Sequence, residues 1–209
     1  MEINLIGFMP ALLPVALSPG ASFTLVMSSA LADGRKGLFS TLAGTALGIY
    51  THALFIGFGI TAVIVSSPTV FGSLKMAGTI YLLWLGVMLI RSGLKTKHIE
   101  LNSSLSSVTV SKAWLANVLN PKAIMFYLTV IPQFAGNQGG VSNYLTLASV
   151  HVAVMSLWLI AISHALIFSA KNTDPLRLKK YVNCVGGLLL IIFSLFSLIE
   201  SVSPLLYQL

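Results

Sequence analysis

The stretch Asn117-Val-Leu-Asn120-Pro121-Lys122-Ala-Ile-Met-Phe-Tyr127 places a proline, two amides and a lysine inside an otherwise apolar segment. A proline removes one backbone N–H from a helix, so the carbonyl one turn earlier loses its hydrogen-bond partner. A lysine inside a bilayer is also costly, and such residues face protein or a water-filled cavity. The stretch therefore predicts a membrane helix that is broken at Pro121 and lines a functional site.

The composition of the 209-residue chain is that of an integral membrane protein. Hydrophobic residues make up 56% and charged residues 8%, which leaves too little polar surface for a soluble domain. The net charge of +7 comes from basic residues in short loops, so it is interpreted as a topology signal and not as nucleic-acid binding. The single cysteine, Cys184, excludes an intrachain disulfide and a dithiol redox site.

Six apolar segments are long enough to cross a hydrocarbon core of roughly 30 Å. They lie at about 4–32, 38–65, 69–92, 112–135, 143–169 and 181–206. The sequence therefore predicts an all-α membrane protein with six transmembrane helices. Helices 1 and 4 are predicted to be broken near the midplane, at Pro19 and Pro121.

Loop charges predict the orientation in the membrane. Ten of the 12 Lys and Arg residues lie in or beside odd-numbered loops: Arg35, Lys36, Arg91, Lys95, Lys97, Lys112, Lys171, Arg177, Lys179 and Lys180. Because basic residues favour the cytoplasmic side, these loops are predicted to be cytoplasmic and both termini to be outside. Residues 95–111 are accordingly interpreted as a cytoplasmic linker.

The two proline breaks resemble each other and suggest an internal duplication. Each proline is followed by glycines at +15 and +18: Pro19 by Gly34 and Gly37, Pro121 by Gly136 and Gly139. The shared offset of 102 residues divides the chain into halves at 1–94 and 112–209, with three helices each. An odd number of helices makes the repeats inverted in the membrane, although 17 glycines leave chance as the alternative.

Small residues and histidines mark the inner helices. Gly44 and Gly48 form a GxxxG pattern, which predicts close helix packing. The acids all lie away from the middle of a helix: Glu2, Asp33, Glu100, Asp174 and Glu200. If a side chain carries a proton across the membrane, His52 and His151 are therefore the main candidates, with Lys122. The alternative is that the histidines are hydrogen-bonded packing residues.

Motifs in the first four helices resemble, in order and spacing, those of the LysE/RhtB amino-acid exporters. They are Pro19-Gly-Ala-Ser-Phe-Thr-Leu-Val26, Gly34-Arg-Lys-Gly37, Gly44-Thr-Ala-Leu-Gly48, Gly78-Thr-Ile-Tyr-Leu-Leu-Trp-Leu-Gly86, Asn117-Val-Leu-Asn-Pro-Lys-Ala-Ile-Met-Phe126 and Pro132-Gln-Phe134. The family's first motif usually reads Pro-Gly-Pro, whereas this chain has Ala21 in place of the second proline. Many members carry an acid in the fifth helix, where this chain has His151.

The resemblance implies a multi-pass protein of the bacterial inner membrane. Its expected activity is export of amino acids or close derivatives, such as homoserine or threonine, from the cytoplasm by proton antiport. The expected partners are this small-molecule substrate and the lipid bilayer, with no cofactor, metal or nucleic acid. A homo-oligomer is left open.

The residues of the two breaks fit this substrate class, because a zwitterion needs a cation for its carboxylate and acceptors for its ammonium. Lys122, the amide side chains and the backbone N–H groups after each proline could bind the carboxylate, and the freed carbonyls could bind the ammonium. The predicted substrate-binding residues are Ser18, Pro19, Gly20, Asn117, Asn120, Pro121, Lys122 and Tyr127. With no acid near the midplane, a neutral zwitterion is favoured over lysine or arginine. The alternative is that Lys122 only neutralises the C-terminal dipole of a half-helix from the other repeat.

Two other classes of function compete with an amino-acid exporter. An ion or metal-cation permease is disfavoured because metal paths need clustered ligands, and the membrane histidines are spread over two helices. A small membrane enzyme could use Ser18 and His52, but no acid is placed to orient that histidine. Both classes remain alternatives at this point.

Overall fold

The computed structural model describes residues 3–18, 21–95, 108–136, 140–165 and 175–206. Within these ranges the chain is all-helical, as predicted, with seven α-helices and no strand. They are α1 (Leu5–Leu17), α2 (Ala21–Ser66), α3 (Pro68–Leu94), α4 (Val110–Val118), α5 (Pro121–Met125), α6 (Val141–Ser163) and α7 (Pro175–Leu206). A π-helical turn, Phe126–Val130, and a 3-10 turn, Ile131–Gln133, continue α5. Most of the predicted linker lies outside the described residues.

Three stretches are long and apolar enough to cross a membrane, namely Ser22–Gly59, Lys75–Leu94 and Val141–Ser163. A bent pair, Val110–Val118 with Pro121–Gln133, forms a fourth candidate with a 54° bend. The described residues also contain two shorter apolar helical stretches, Leu5–Leu17 and Asn183–Ile199. The chain is therefore a membrane protein with three or four spans recognisable by length and composition, compared with the six that the sequence predicts.

The helix is broken at Pro121, as predicted. α4 ends at Val118, and Asn120 caps α5 by accepting the Lys122 N–H on its Oδ1 at 3.0 Å. Pro121 occupies the first turn of α5, where a backbone N–H needs no helical partner. The first predicted break lies between the end of α1 at Leu17 and the start of α2; Pro19 and Gly20 themselves are outside the described residues.

Two glycines have backbone conformations that other residues rarely adopt. Gly34 interrupts α2 with φ 59° and ψ −137°, and Gly136 follows the 3-10 turn with φ 82°. In the described part of the chain, positive φ is confined to these two positions. The predicted loop at 33–37 is therefore a sharp break at one residue, because glycine can turn the helix there without a longer connection.

The GxxxG pattern of α2 packs against α4, as predicted. A Cβ at Gly48 would lie 2.5 Å from the Asn117 Oδ1, and a Cβ at Gly44 would overlap the Val110 carbonyl. α3 and α7 also pack closely, where Gly86 meets Gly187. These small residues let the backbones of α2 and α4, and those of α3 and α7, approach closely.

The outer surface and the interior separate clearly. Large side chains on the surface reach exposures of 70% or more, as at Phe55, Phe58, Leu157 and Phe196, which suits contact with lipid tails. The interior contains fully buried residues from the first half, the second half and the helix that follows each break: Phe8, Leu12, Ile49, Phe126, Tyr127, Leu147 and Leu190. The two halves of the chain thus share one core.

Candidate functional site

A cavity of about 50 Å³ lies beside both helix breaks, between α1, the start of α2, α5 and α6. Its polar lining comprises Ser18, Ser22, Asn117, Asn120, Lys122 and His151, and its apolar lining includes Phe23, Phe126, Met155 and Leu159. A water molecule needs roughly 10–15 Å³ of such space, so the cavity has room for about four waters. It is a polar site bordered on one side by an apolar wall.

Lys122 joins the two breaks directly. Its Nζ donates a hydrogen bond to the Val15 carbonyl at 2.7 Å and another to the Ser18 hydroxyl. In a continuous helix the Val15 carbonyl would accept the N–H of residue 19, but residue 19 is a proline. The half-buried lysine therefore supplies the donor that the proline lacks.

Two further contacts fix the neighbourhood of Lys122. The Ser18 hydroxyl, buried at the C-terminus of α1, donates to the same Val15 carbonyl at 3.2 Å. The Tyr81 hydroxyl of α3 donates to the Lys122 carbonyl at 3.3 Å. The backbone of Lys122 is thus held from α3, while its ammonium points to the end of α1.

Asn117 stands in the same relation to the second proline. Its carbonyl would accept the N–H of residue 121 in a continuous helix, and residue 121 is again a proline. The Asn117 carbonyl instead accepts the Asn120 N–H at 3.0 Å and lies 3.3 Å from the His52 Nε2. The Asn117 side chain is buried against α2, and its Oδ1 has no hydrogen-bond partner among the described residues.

His52 and His151 meet at Tyr127. The Tyr127 ring stacks with His52 at a centroid distance of 5.5 Å and with His151 at 5.8 Å. The Tyr127 hydroxyl lies 3.2 Å from the His151 Nδ1. The two histidines, which the sequence placed on separate helices, are therefore joined through a fully buried tyrosine.

The π-helical turn puts Tyr127 in this position. α3 approaches the turn closely because Gly78 has no side chain; a Cβ there would overlap the Thr129 carbonyl. Gln133 donates to the same carbonyl at 2.8 Å and so satisfies part of the widened turn. π-Helical turns are rare in proteins overall, and those that occur are often found at functional sites.

The predicted site residues divide into three groups. Ser18, Asn117, Asn120 and Lys122 meet at the cavity together with His151. Pro121 is exposed in the first turn of α5. Tyr127 and His52 are not among the described lining residues, but they contact His151 and Asn117, which are. Pro19 and Gly20 lie outside the described residues.

Sequence reasoning missed the apolar wall of the cavity. Met155 and Leu159 follow His151 at intervals of four residues on α6, so the three side chains lie on one face of that helix. Phe23 reaches the cavity from the first turns of α2. The spacing from His151 is the signal that could have identified the α6 residues.

Metal ligands do not cluster in the described ranges. No group of three or more His, Cys, Asp or Glu side chains there could hold a metal ion. The two histidines that do approach each other contact a tyrosine ring and a backbone carbonyl.

Comparison with known proteins identifies the family. Residues 13–201 match the family described as LysE type translocator. The chain belongs to the LysE family. The resemblance noted in its motifs is thereby confirmed, and the match extends beyond them into the fifth and sixth predicted helices.

Relatives of this LysE-family chain include proteins of named and unnamed function. It is 25% identical to an uncharacterised membrane protein of Bacillus subtilis over 203 residues, which are 92% of this chain and 97% of the relative. It is 30% identical to the homoserine/homoserine lactone efflux protein of Salmonella typhimurium over 142 residues, 67% of this chain and 69% of that protein. A protein of the same name from Salmonella typhi matches equally well. No solved structure matches the chain.

Proposed function

We propose that this LysE-family protein exports neutral amino acids or close derivatives from the bacterial cytoplasm across the inner membrane, in exchange for protons. The observation that carries the proposal is the position of Lys122, whose ammonium lies in a cavity beside the carbonyl that Pro19 leaves free. A cation and a backbone acceptor within one small cavity are the two groups that a zwitterion requires.

The cavity lining supports a substrate without a second charge. Lys122 would bind the carboxylate, and the Val15 carbonyl with the Ser18 hydroxyl would accept from the ammonium. The apolar wall formed by Met155 and Leu159 would face the substrate side chain. No carboxylate is among the described residues of the lining, so a lysine or arginine side chain would find no ionic partner there.

The proposed architecture is six transmembrane helices arranged as two inverted repeats, 1–94 and 112–209. α2 has 46 residues, roughly 70 Å of helix, and is interrupted at Gly34. The part before Gly34 is long enough for half of the first membrane crossing, and the part after it is long enough for the whole second crossing. Gly34 and Gly136 share positive φ at the predicted offset of 102 residues. With the basic loops inside, both termini lie outside the cell.

The proposed proton path uses His52 and His151. His151 lines the cavity and contacts the Tyr127 hydroxyl, while His52 stacks on the same ring from α2. These are ionisable or hydroxyl groups in contact, and none of them is a carboxylate. A path of this kind would let the cavity exchange protons without an acid in the fifth helix.

The first experiment is a tolerance screen in bacteria. Cells that overexpress the protein should grow in excess homoserine, or in another amino acid or analogue, at concentrations that inhibit cells with an empty vector. The homoserine efflux proteins among the relatives make homoserine the first compound to test. If the protein raised tolerance to divalent metals and to none of the amino acids, it would be a cation permease and this proposal would be wrong.

A further inference from the structure

Each helix break is closed by a side chain from the other half of the molecule. The carbonyls of Val15 and Asn117 each stand four residues before a proline, so neither can make the normal helical hydrogen bond. Lys122 of the second half donates to Val15 at 2.7 Å. His52 of the first half lies 3.3 Å from the Asn117 carbonyl.

The local partners of these two carbonyls also correspond. The Val15 carbonyl accepts from the Ser18 hydroxyl, and the Asn117 carbonyl accepts from the Asn120 N–H. Ser18 and Asn120 are separated by the same 102 residues as Val15 and Asn117. Each freed carbonyl therefore has a donor three residues later in its own half and a donor from the opposite half; the Asn117 carbonyl also accepts from the Leu119 N–H.

The two cross-half contacts differ in their access to the cavity. Lys122 lines the cavity, whereas His52 is not among its lining residues and stacks on Tyr127. A carboxylate in the cavity can compete with Val15 for the Lys122 ammonium, because a charged acceptor makes a stronger hydrogen bond than a neutral carbonyl. The same carboxylate has no such access to His52.

We propose that Lys122 and His52 are positioning residues that cap the opposite half's broken helix, and that a substrate carboxylate draws Lys122 away from Val15. Entry of substrate then replaces Lys122 at the Val15 carbonyl with the substrate ammonium. Because the substrate is not tethered to the second half, the C-terminus of α1 is released from that half, while the break between α4 and α5 remains capped. The second step rests on the proposed function; the caps themselves do not. The site thus couples binding to movement of one helix break and not of both.

Restoring the missing N–H of each proline tests the caps. Lys122→Met should lower the melting temperature of the purified protein in detergent by about 4 °C, since a buried carbonyl loses a donor. In a Pro19→Ala background, which restores an N–H four residues after Val15, this loss should fall by at least half. In a Pro121→Ala background it should remain. His52→Phe, which keeps a ring beside Tyr127 and removes the Nε2–H donor, should show the reverse pattern, with rescue by Pro121→Ala and not by Pro19→Ala.

If Lys122→Met does not accumulate well enough to be purified, the amount of folded protein in the membrane is measured instead of the melting temperature. Recovery by Pro19→Ala and not by Pro121→Ala would support the caps. Equal losses of melting temperature in all three backgrounds, or equal recovery by either proline replacement, would overturn them.

Hydrogen exchange with homoserine as the probe tests the loading step. Saturating homoserine should speed exchange of the last-turn amides of α1 several-fold in the wild-type protein, and should leave those of α4 and all amides of Lys122→Met unchanged. If homoserine raised the melting temperature without changing α1, the loading step would be wrong. If homoserine had no effect on any variant while the proline rescue held, the caps would stand and the proposed substrate would fail.

Discussion

Replacing Gly48 with alanine should disturb the site through packing alone, without removing any polar group. The new Cβ would lie 2.5 Å from the Asn117 Oδ1 and 2.7 Å from the Asn117 Cβ. Ordinary contact begins at 3.4 Å, so α2 and α4 must separate by about 1 Å. This shift moves Asn117, which lines the cavity and whose carbonyl lies 3.3 Å from the His52 Nε2.

A control on the same helix isolates the effect of packing. A Cβ at Gly59 meets no atom within 4 Å, so Gly59→Ala changes only the helical propensity of α2. Overpacking costs about 1–3 kcal/mol, which for a chain of this size lowers the melting temperature by roughly 2–12 °C relative to the control. We expect Gly48→Ala to differ from Gly59→Ala by this amount in detergent.

The same pair of variants should differ in transport. Export of homoserine from loaded cells, normalised to the amount of protein in the membrane, should be several-fold lower for Gly48→Ala than for Gly59→Ala. Equal melting temperatures and equal export rates in the two variants would refute the packing of α2 on α4 at Gly48 and its role in shaping the site.

Three other changes test topology, proton coupling and specificity. In a cysteine-free background, a cysteine at Asn137 should react with an impermeant maleimide in whole cells, and one at Ser104 should not; reaction at Ser104 would overturn the orientation. The double replacement His52→Gln, His151→Gln should abolish substrate-driven proton flux in proteoliposomes, and flux at the wild-type ratio would make the histidines structural. Met155→Ala should raise export of leucine relative to homoserine, because the shorter side chain leaves more room beside the apolar wall. An unchanged ratio would show that Met155 does not contact the substrate side chain.

Much of the site could be predicted because its local chemistry is unusual for a membrane helix. Pro121 and Lys122 stand out against an apolar background, and their cost points to a break and a cavity. The glycines at 34 and 136 were also recognisable by their spacing from the prolines. Both glycines have positive φ, a backbone conformation that glycine adopts far more easily than other residues, so their places in the sequence coincide with sharp turns of the chain.

The contacts of the apolar wall and of the histidines could not be predicted in this way. In a membrane helix the lipid-facing and interior faces are both apolar, so hydrophobic periodicity does not distinguish Met155 from the exposed Leu157. The meeting of His52, Tyr127 and His151 depends on the π-turn. α3 approaches that turn closely at Gly78, which is a tertiary contact that the sequence around Tyr127 does not indicate.

The most direct test of the proposed function is homoserine export by Lys122→Met compared with Lys112→Met, a lysine-to-methionine control at an exposed position of α4. Both variants are to be compared at equal amounts of inserted protein. If Lys122 binds the substrate carboxylate, export by Lys122→Met should fall at least about tenfold, equivalent to roughly 1.4 kcal/mol, while Lys112→Met keeps the wild-type rate. Equal export by the two variants would contradict the assignment of Lys122 to the substrate.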